Sequence, residues 1–379
     1  MYGAGILRFF YLVGCANSLF FSVLVFSRKE KTIADKILGY WLLALSLQLF
    51  LPFLYLANIN LFIHIIGFET ILAAIHPILL YNYTRALTQT QLTSGDVIKS
   101  LWPMLFAAAS MLRYVLLDPS KKIEILSEAK DLPIDILIPF LLEAVIFIYF
   151  LRQSFKILRR HKNNVLQLYS YRDDVDLLWL RRLLLFFTLF LLSTAALVPV
   201  LYIYDISLAY SDFIFYASLT IFIFLLGYWG YQQGNVFSYS GPAPAHEVLS
   251  QHRSVDSGNG HSNESNLDAE AAAVLRFMKS HKPHLDSTIT LYKLAEQIDM
   301  PPHQLSRIIN RHFHKNFFEF VNEYRISAFK EKLVDTRSHN YTLLSLAFES
   351  GFNSKSAFNR IFKEYTGLTP QEYKSSLEA

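Results

Sequence analysis

Cysteine is almost absent: Cys15 is the single thiol in 379 residues, which excludes a disulfide framework and a cysteine-based zinc site. Lying inside an apolar run, it reads as a small buried residue. No phosphate-cradling glycine loop, HExxH pair or kinase signature occurs, so no enzymatic chemistry, cofactor or metal is expected. Charge is scarce too. Charged residues make up 17% of the chain and the formal net charge is +4, too little to identify a partner. What fills the space is apolar: 53% of the residues are hydrophobic and the mean hydropathy is +0.27, high for one soluble globule.

The excess is concentrated in residues 5–235, which consist of apolar runs about twenty residues long, enough to cross ~30 Å of hydrocarbon as helices. Seven spans are predicted, at 5–27, 37–57, 61–82, 99–117, 132–151, 183–203 and 213–235. An odd number places the termini on opposite sides. With the N-terminus outside, the inner connections hold fourteen Lys and Arg, eight of them between Arg152 and Arg182, against Lys121, Lys122 and Lys130 outside. That asymmetry orients the C-terminus to the cytoplasm. Trp41, Trp102, Trp179 and Trp229 all fall near the inner interface on this arrangement. The start, MYGAGILRFF, has no basic leader and no clear cleavage site follows, so the first span is expected to be retained.

Ionisable residues inside spans are costly and mark candidate sites. Glu69, His76 and Tyr83 recur every seven residues along the third span, and Glu143 sits within the fifth. Together they form a candidate ligand-binding or proton site facing the bundle interior. An interhelical hydrogen-bond stripe that only holds the bundle together fits the same residues.

Residues 236–268 are rich in Ser, Gly, Asn and Pro without sustained periodicity and read as a flexible tether. Its root-mean-square reach is roughly 30 Å. Asp268 is placed as the cap of a helix reaching about Lys279.

Beyond the tether the chain repeats itself. TLYKLAEQIDM, from Thr290 to Met300, matches TLLSLAFESGF, from Thr342 to Phe352, and LSRII, from Leu305, matches FNRIF, from Phe358. Each copy has the pattern of a helix-turn-helix: a Thr that can cap, a small Ala at the crossing, a turn, then an amphipathic helix. Between the copies Phe317–Asp335 reads as a helix with Phe320, Tyr324, Ala328 and Leu333 along one side.

The second helices present His303, Ser306, Arg307, Arg311 and Lys315 in copy one, and Lys355, Ser356, Asn359, Arg360 and Lys363 in copy two. Arg and Asn can pair bidentately with guanine and adenine, while Lys and Ser suit phosphates. One basic helix could be an ordinary solvated face; two copies with arginines in matched places favour DNA. Residues 269–379 nevertheless carry 15 Lys and Arg against 12 Asp and Glu, so base readout must supplement electrostatics.

Residues 269–379 resemble the DNA-binding domain of the AraC/XylS family of bacterial transcription regulators. The resemblance rests on LAFESGFNSKSAFNRIFKEYTGLTPQEYK and on LSRIINRHFHKNFFEFVNEYRISAFKEKL. It implies a seven-helix domain with two helix-turn-helix units, and DNA-facing roles for His303, Ser306, Arg307, Lys355, Ser356, Asn359 and Arg360. Two positions depart from the pattern. Asp299 stands where glycine is usual, and Pro301 where a capping Ser or Thr is common, which leaves the first unit as the weaker reader. Residues 1–235 are similar to the multi-span domain of some members.

The expectation is an all-α protein in three parts: a seven-helix membrane bundle at 1–235, the tether at 236–268, and the DNA-binding domain at 269–379. It would be a multi-pass protein of the bacterial inner (cytoplasmic) membrane, coupling a small-molecule or membrane signal to transcription through promoter DNA. The lipid bilayer is its other partner, and a homodimer and contact with RNA polymerase are left open. The competing reading is a transporter or membrane enzyme with a helical regulatory tail.

Overall fold

The computed structural model describes residues 2–57, 64, 68–88, 92–122, 134–171, 175–204, 209–233, 264–335 and 341–378. Among these all regular structure is helical. The chain divides into two compact units, residues 1–159 with 177–239, and residues 160–176 with 240–379.

The first unit contains α1 (Tyr2–Phe26), α2 (Ile33–Ala57), α3 (Phe68–Ala73), α4 (Ile75–Thr88), α5 (Ser94–Lys99), α6 (Trp102–Val115), most of α7 (Ile134–Leu168), α8 (Leu178–Ile203) and α9 (Ala209–Gln232). Helix occupies most of the described part of every predicted span, with a turn at Ser100 and Leu101 between α5 and α6 inside the fourth. Among the described residues, three stretches are long and apolar enough to cross a membrane: Gly5–Phe26, Ile33–Leu54 and Ile214–Gln232. The third predicted span is broken at Ala74 between α3 and α4, just before Pro77, whose ring cannot sit in an unbroken ladder without cost.

Small polar groups knit α1 to α2. Ser18 Oγ donates to the carbonyl of Leu42 at 2.6 Å and Ser22 Oγ to that of Gly39 at 3.0 Å. Arg28 bonds to the carboxylate of Asp35 and to the carbonyl of Tyr231, closing the ends of α1, α2 and α9 together. On the outside Phe9, Leu12, Phe20 and Val23 stand exposed, an apolar surface that water does not cover well. Trp41, expected at the membrane interface, is instead buried, with Tyr83 and Phe222 at 6.3 and 6.2 Å. Its indole fills a gap between helices, a use that a Trp count cannot distinguish from anchoring.

Helix α7 has 35 residues, ~52 Å at 1.5 Å per residue and well beyond the ~30 Å of a bilayer core. Its basic final third lies where the sequence predicts an inner connection between spans. In the structure that stretch stays helical, and from Arg160 it belongs to the second unit.

The second unit contains that end of α7 together with α10 (Glu264–His281), α11 (Leu291–Ile298), α12 (Pro302–Arg311), α13 (Phe317–Val334), α14 (Leu343–Glu349), α15 (Lys355–Thr366) and α16 (Pro370–Glu378). Helix α10 starts at Glu264, inside the stretch assigned to the tether. Asp268 therefore lies within the helix, not at its cap, and its carboxylate approaches His312 Nδ1 at 3.1 Å. Two apolar clusters form the core. One gathers Leu294, Ala295, Leu305, Ile308 and Ile309 from α11 and α12; the other gathers Leu346, Ala347, Phe358, Ile361 and Phe362 from α14 and α15. Helix α13 serves both, giving Phe317, Phe320 and Val321 to the first and Phe318, Ile326 and Phe329 to the second. Phe320 and Tyr324 face the first cluster as the pattern required, whereas Leu333 packs against the second, so the single apolar side expected of α13 is divided between the two.

Candidate nucleic-acid interface

Each repeat builds the same local structure from the same chemistry. Thr290 Oγ1 accepts from the backbone of Lys293 at 3.3 Å and Thr342 Oγ1 from that of Ser345 at 3.1 Å, capping α11 and α14. Ala295 and Ala347 are fully buried at the helix crossings. The turns then require a left-handed residue. Asp299 takes it in the first copy at φ 57°, and Gly351 in the second at φ 93°. A side chain at 351 is excluded for a further reason: a Cβ there would lie 2.2 Å from the carbonyl oxygen of His284.

The caps of the two second helices differ. Ser354 accepts from Ala357 N at 3.1 Å at the start of α15. Pro301 makes no side-chain bond at the start of α12, where Pro302 occupies the first turn.

On α15, Lys355, Ser356, Asn359, Arg360 and Lys363 are all exposed on one face, with Phe358 and Phe362 buried behind them. On α12, His303 and Arg311 are exposed. Ser306, read as outward, is 3% exposed, and Asn310 Nδ2 donates to its hydroxyl at 3.2 Å. Arg307 lies half-buried with Nη2 3.8 Å from a carboxylate oxygen of Glu270. Lys315 is ion-paired to Glu323. The outward-facing polar surface is therefore fuller on α15 than on α12.

Behind these helices sits a group that repeat spacing did not single out. Arg325 of α13 is 2% exposed, a buried charge that must be met by acceptors. Its Nε donates to the carbonyl of His284 at 2.9 Å, Nη1 to the carbonyl of Ser170 at 2.9 Å, and Nη2 to Ser170 Oγ at 3.0 Å and the carbonyl of Asp286 at 2.9 Å. Burial lowers its pKa to about 10, which leaves it charged at neutral pH. His284 is pushed down to about 4, chiefly by burial and then by the charges of Arg325 and Lys282. Glu319, Glu323, Lys330, Glu331 and Lys332 share the helix with it, so its charge alone does not set Arg325 apart in the sequence.

Residues 294–376 match the family model of a helix-turn-helix domain. The C-terminal domain is an AraC-type helix-turn-helix domain. An uncharacterized HTH-type transcriptional regulator of Staphylococcus aureus (strain COL) is 29% identical over 120 residues, 31% of this chain and 15% of that protein. The melibiose operon regulatory protein of Escherichia coli (strain K12) is 27% identical over 89 residues, 24% of this chain and 28% of that protein. The aligned stretch covers less than a third of this chain and of either relative. No solved structure matches the chain.

The candidate membrane residues are not gathered at one point. His76 lines an apolar cavity of about 20 Å³ with Trp41, Leu45, Leu80, Phe147, Phe187, Leu219 and Phe222, room for about one water. Among the described residues, both His76 ring nitrogens and Trp41 Nε1 are buried without a hydrogen-bond partner. Tyr83 is buried between Trp41 and Trp179, at 6.3 and 6.4 Å, and Glu143 does not line the cavity. The Glu69 side chain lies outside the described residues.

Proposed function

We propose that this chain is a membrane-embedded, one-component transcription regulator of the bacterial inner membrane. Seven spans would hold the AraC-type domain at the cytoplasmic face, tethered through residues 236–263, and the first unit would pass a small-molecule or membrane signal to it. The carrying observation is that one molecule joins an AraC-type domain, with a basic, exposed reading face on α15, to helices long and apolar enough to cross a bilayer.

In this reading Asn359 and Arg360 contact base edges, Lys355, Ser356 and Lys363 hold phosphates, and α12 contributes His303, Arg307 and Arg311. Ser306 would act through Asn310, being buried. The unpartnered nitrogens of His76 and Trp41 mark where a small signal molecule could be felt, with Glu69, Tyr83 and Glu143 as further candidates. No catalytic step is assigned.

The test is genome-wide mapping of DNA bound by the full chain in its native membrane. Discrete promoter sites should appear and vanish with Arg360→Ala. An unchanged map in that variant would overturn DNA readout by α15, and flux or turnover across the membrane would support a transporter or membrane enzyme instead.

A further inference from the structure

Residues 160–176 precede the AraC-type domain by almost a hundred positions, yet they fold as part of it. Leu168, 3% exposed, is a member of the apolar cluster under the first helix-turn-helix, and Leu166 packs against the cluster under the second. Tyr169 forms an antiparallel bridge with Thr290, the cap of α11. Gln167 Oε1 accepts from Asn310 Nδ2 at 3.1 Å, on α12 itself.

Ser170 is the most committed of these residues. Only 1% exposed, it accepts at its carbonyl from Arg325 and from Asn322 Nδ2, at 2.9 and 3.1 Å, and its hydroxyl donates to the carbonyl of Ile289 at 2.8 Å. Its hydroxyl also accepts from Arg325 Nη2. Two of the four 2.9–3.0 Å bonds of a buried guanidinium therefore come from one residue outside the family-matched segment. If the segment left, Arg325 would lose two of its five acceptors, the fifth being Asn322 Oδ1 at 3.4 Å, in a dry site where an unpaired charge is most costly.

We infer that the Leu166–Ser170 segment is a positioning clamp for DNA binding: docked on Arg325, it fixes the two helix-turn-helix units relative to each other and so sets the half-site spacing they read. Its two leucines engage one cluster each, and Arg325 ties it to the turn before α11 and to the His284 carbonyl on which Gly351 sits. The clamp is the last turn of α7 and the two residues that follow it, so a change in that helix would release or seat it and would reach both reading helices at once. The DNA part of this inference rests on the function proposed above; the docking does not.

Two measurements on the full chain in membranes or detergent test it. In a Cys15→Ala background, Tyr169→Cys with Thr290→Cys should form an intramolecular disulfide on mild oxidation, because opposed residues of an antiparallel pair lie about 4.5–5.5 Å apart, within disulfide reach. Failure to form it overturns the docking, whatever the protein binds. For DNA, sites are first selected from a randomised pool, then offered with the two half-sites moved apart by one to five base pairs. The oxidised protein should bind within threefold of the reduced one and keep its spacing preference. Leu168→Asp should lose at least tenfold in affinity and bind all spacings alike, and Ser170→Ala should flatten the preference partly. A lock that abolishes binding, or a Leu168→Asp protein with unchanged affinity and spacing preference, overturns the clamp. If Leu168→Asp does not fold, the locked protein and Ser170→Ala decide. Absence of any selected site would instead defeat the proposed function and leave the cross-link result standing.

Discussion

Nη2 of Arg307 lies 3.8 Å from an Oε of Glu270, and among the described residues neither Arg307 Nε nor that buried carboxylate oxygen has a hydrogen-bond partner. A half-buried ion pair at this distance contributes little, of the order of 0.2–1 kcal/mol, yet it holds the arginine matched to Arg360 away from solvent. Glu270→Gln frees Arg307 and removes a negative charge from the α12 side. Operator affinity of the full chain, followed by fluorescence anisotropy at fixed salt, should rise about two- to fivefold. Weaker binding would mean that Glu270 orients Arg307 for DNA.

Gly351 and Gly367 both have positive φ, 93° and 76°, but only the first is crowded. A Cβ at 351 meets the His284 carbonyl at 2.2 Å and Arg325 Nε at 3.0 Å, whereas one at 367 meets nothing within 4 Å. Gly367→Ala should cost about 1–2 kcal/mol from backbone strain alone. Gly351→Ala should cost more than about 3 kcal/mol, since backbone must move. Thermal unfolding of the two variants side by side gives the difference.

The two reading helices differ at their starts. Ser354→Ala removes the α15 cap and should cost about 1 kcal/mol, while Pro301→Ser gives α12 the cap it lacks and should stabilise by up to about 1 kcal/mol. Equal effects of the same sign in denaturant melts would contradict this asymmetry.

Base contacts and phosphate contacts should separate in binding. Asn359→Ala and Arg360→Ala should each cost about 1–3 kcal/mol and relax preference at one base position, whereas Lys363→Ala should weaken all sites alike and reduce the salt slope by about one. Affinity measured on single-base operator variants over a salt series distinguishes the two patterns.

His284 is held neutral in the fold, its pKa lowered from 6.5 to about 4. The unfolded chain takes up this proton first as pH falls. Stability is therefore complete above pH 6.5 and declines between 6.5 and 4 by at most about 1.4 kcal/mol per pH unit. Melts of the full chain at pH 7, 6 and 5 should show the decline, and His284→Gln should flatten that part of the profile.

Much of the second unit was legible in order along the chain. Thr caps, buried alanines, a permissive turn and alternating apolar and basic positions are local requirements of a helix-turn-helix. They recur at 290–309 and 342–362 because the physics recurs. The apolar runs of the first unit were legible for the same reason: helix length against hydrocarbon thickness is a one-dimensional constraint. Outwardness was less so. Ser306 occupies a position that periodicity alone turns toward solvent, but Asn310 and the neighbouring helices cover it.

Composition and repeat spacing by themselves determined the all-helical class, the doubled reading motif and the apolar character of the first two thirds. Only the tertiary structure decided that Leu166–Ser170 completes the AraC-type domain and that Arg325 is its buried receptor. Such a contact spans 155 residues and is made largely through backbone carbonyls, which every residue carries; no side-chain pattern encodes which carbonyl a distant arginine will find.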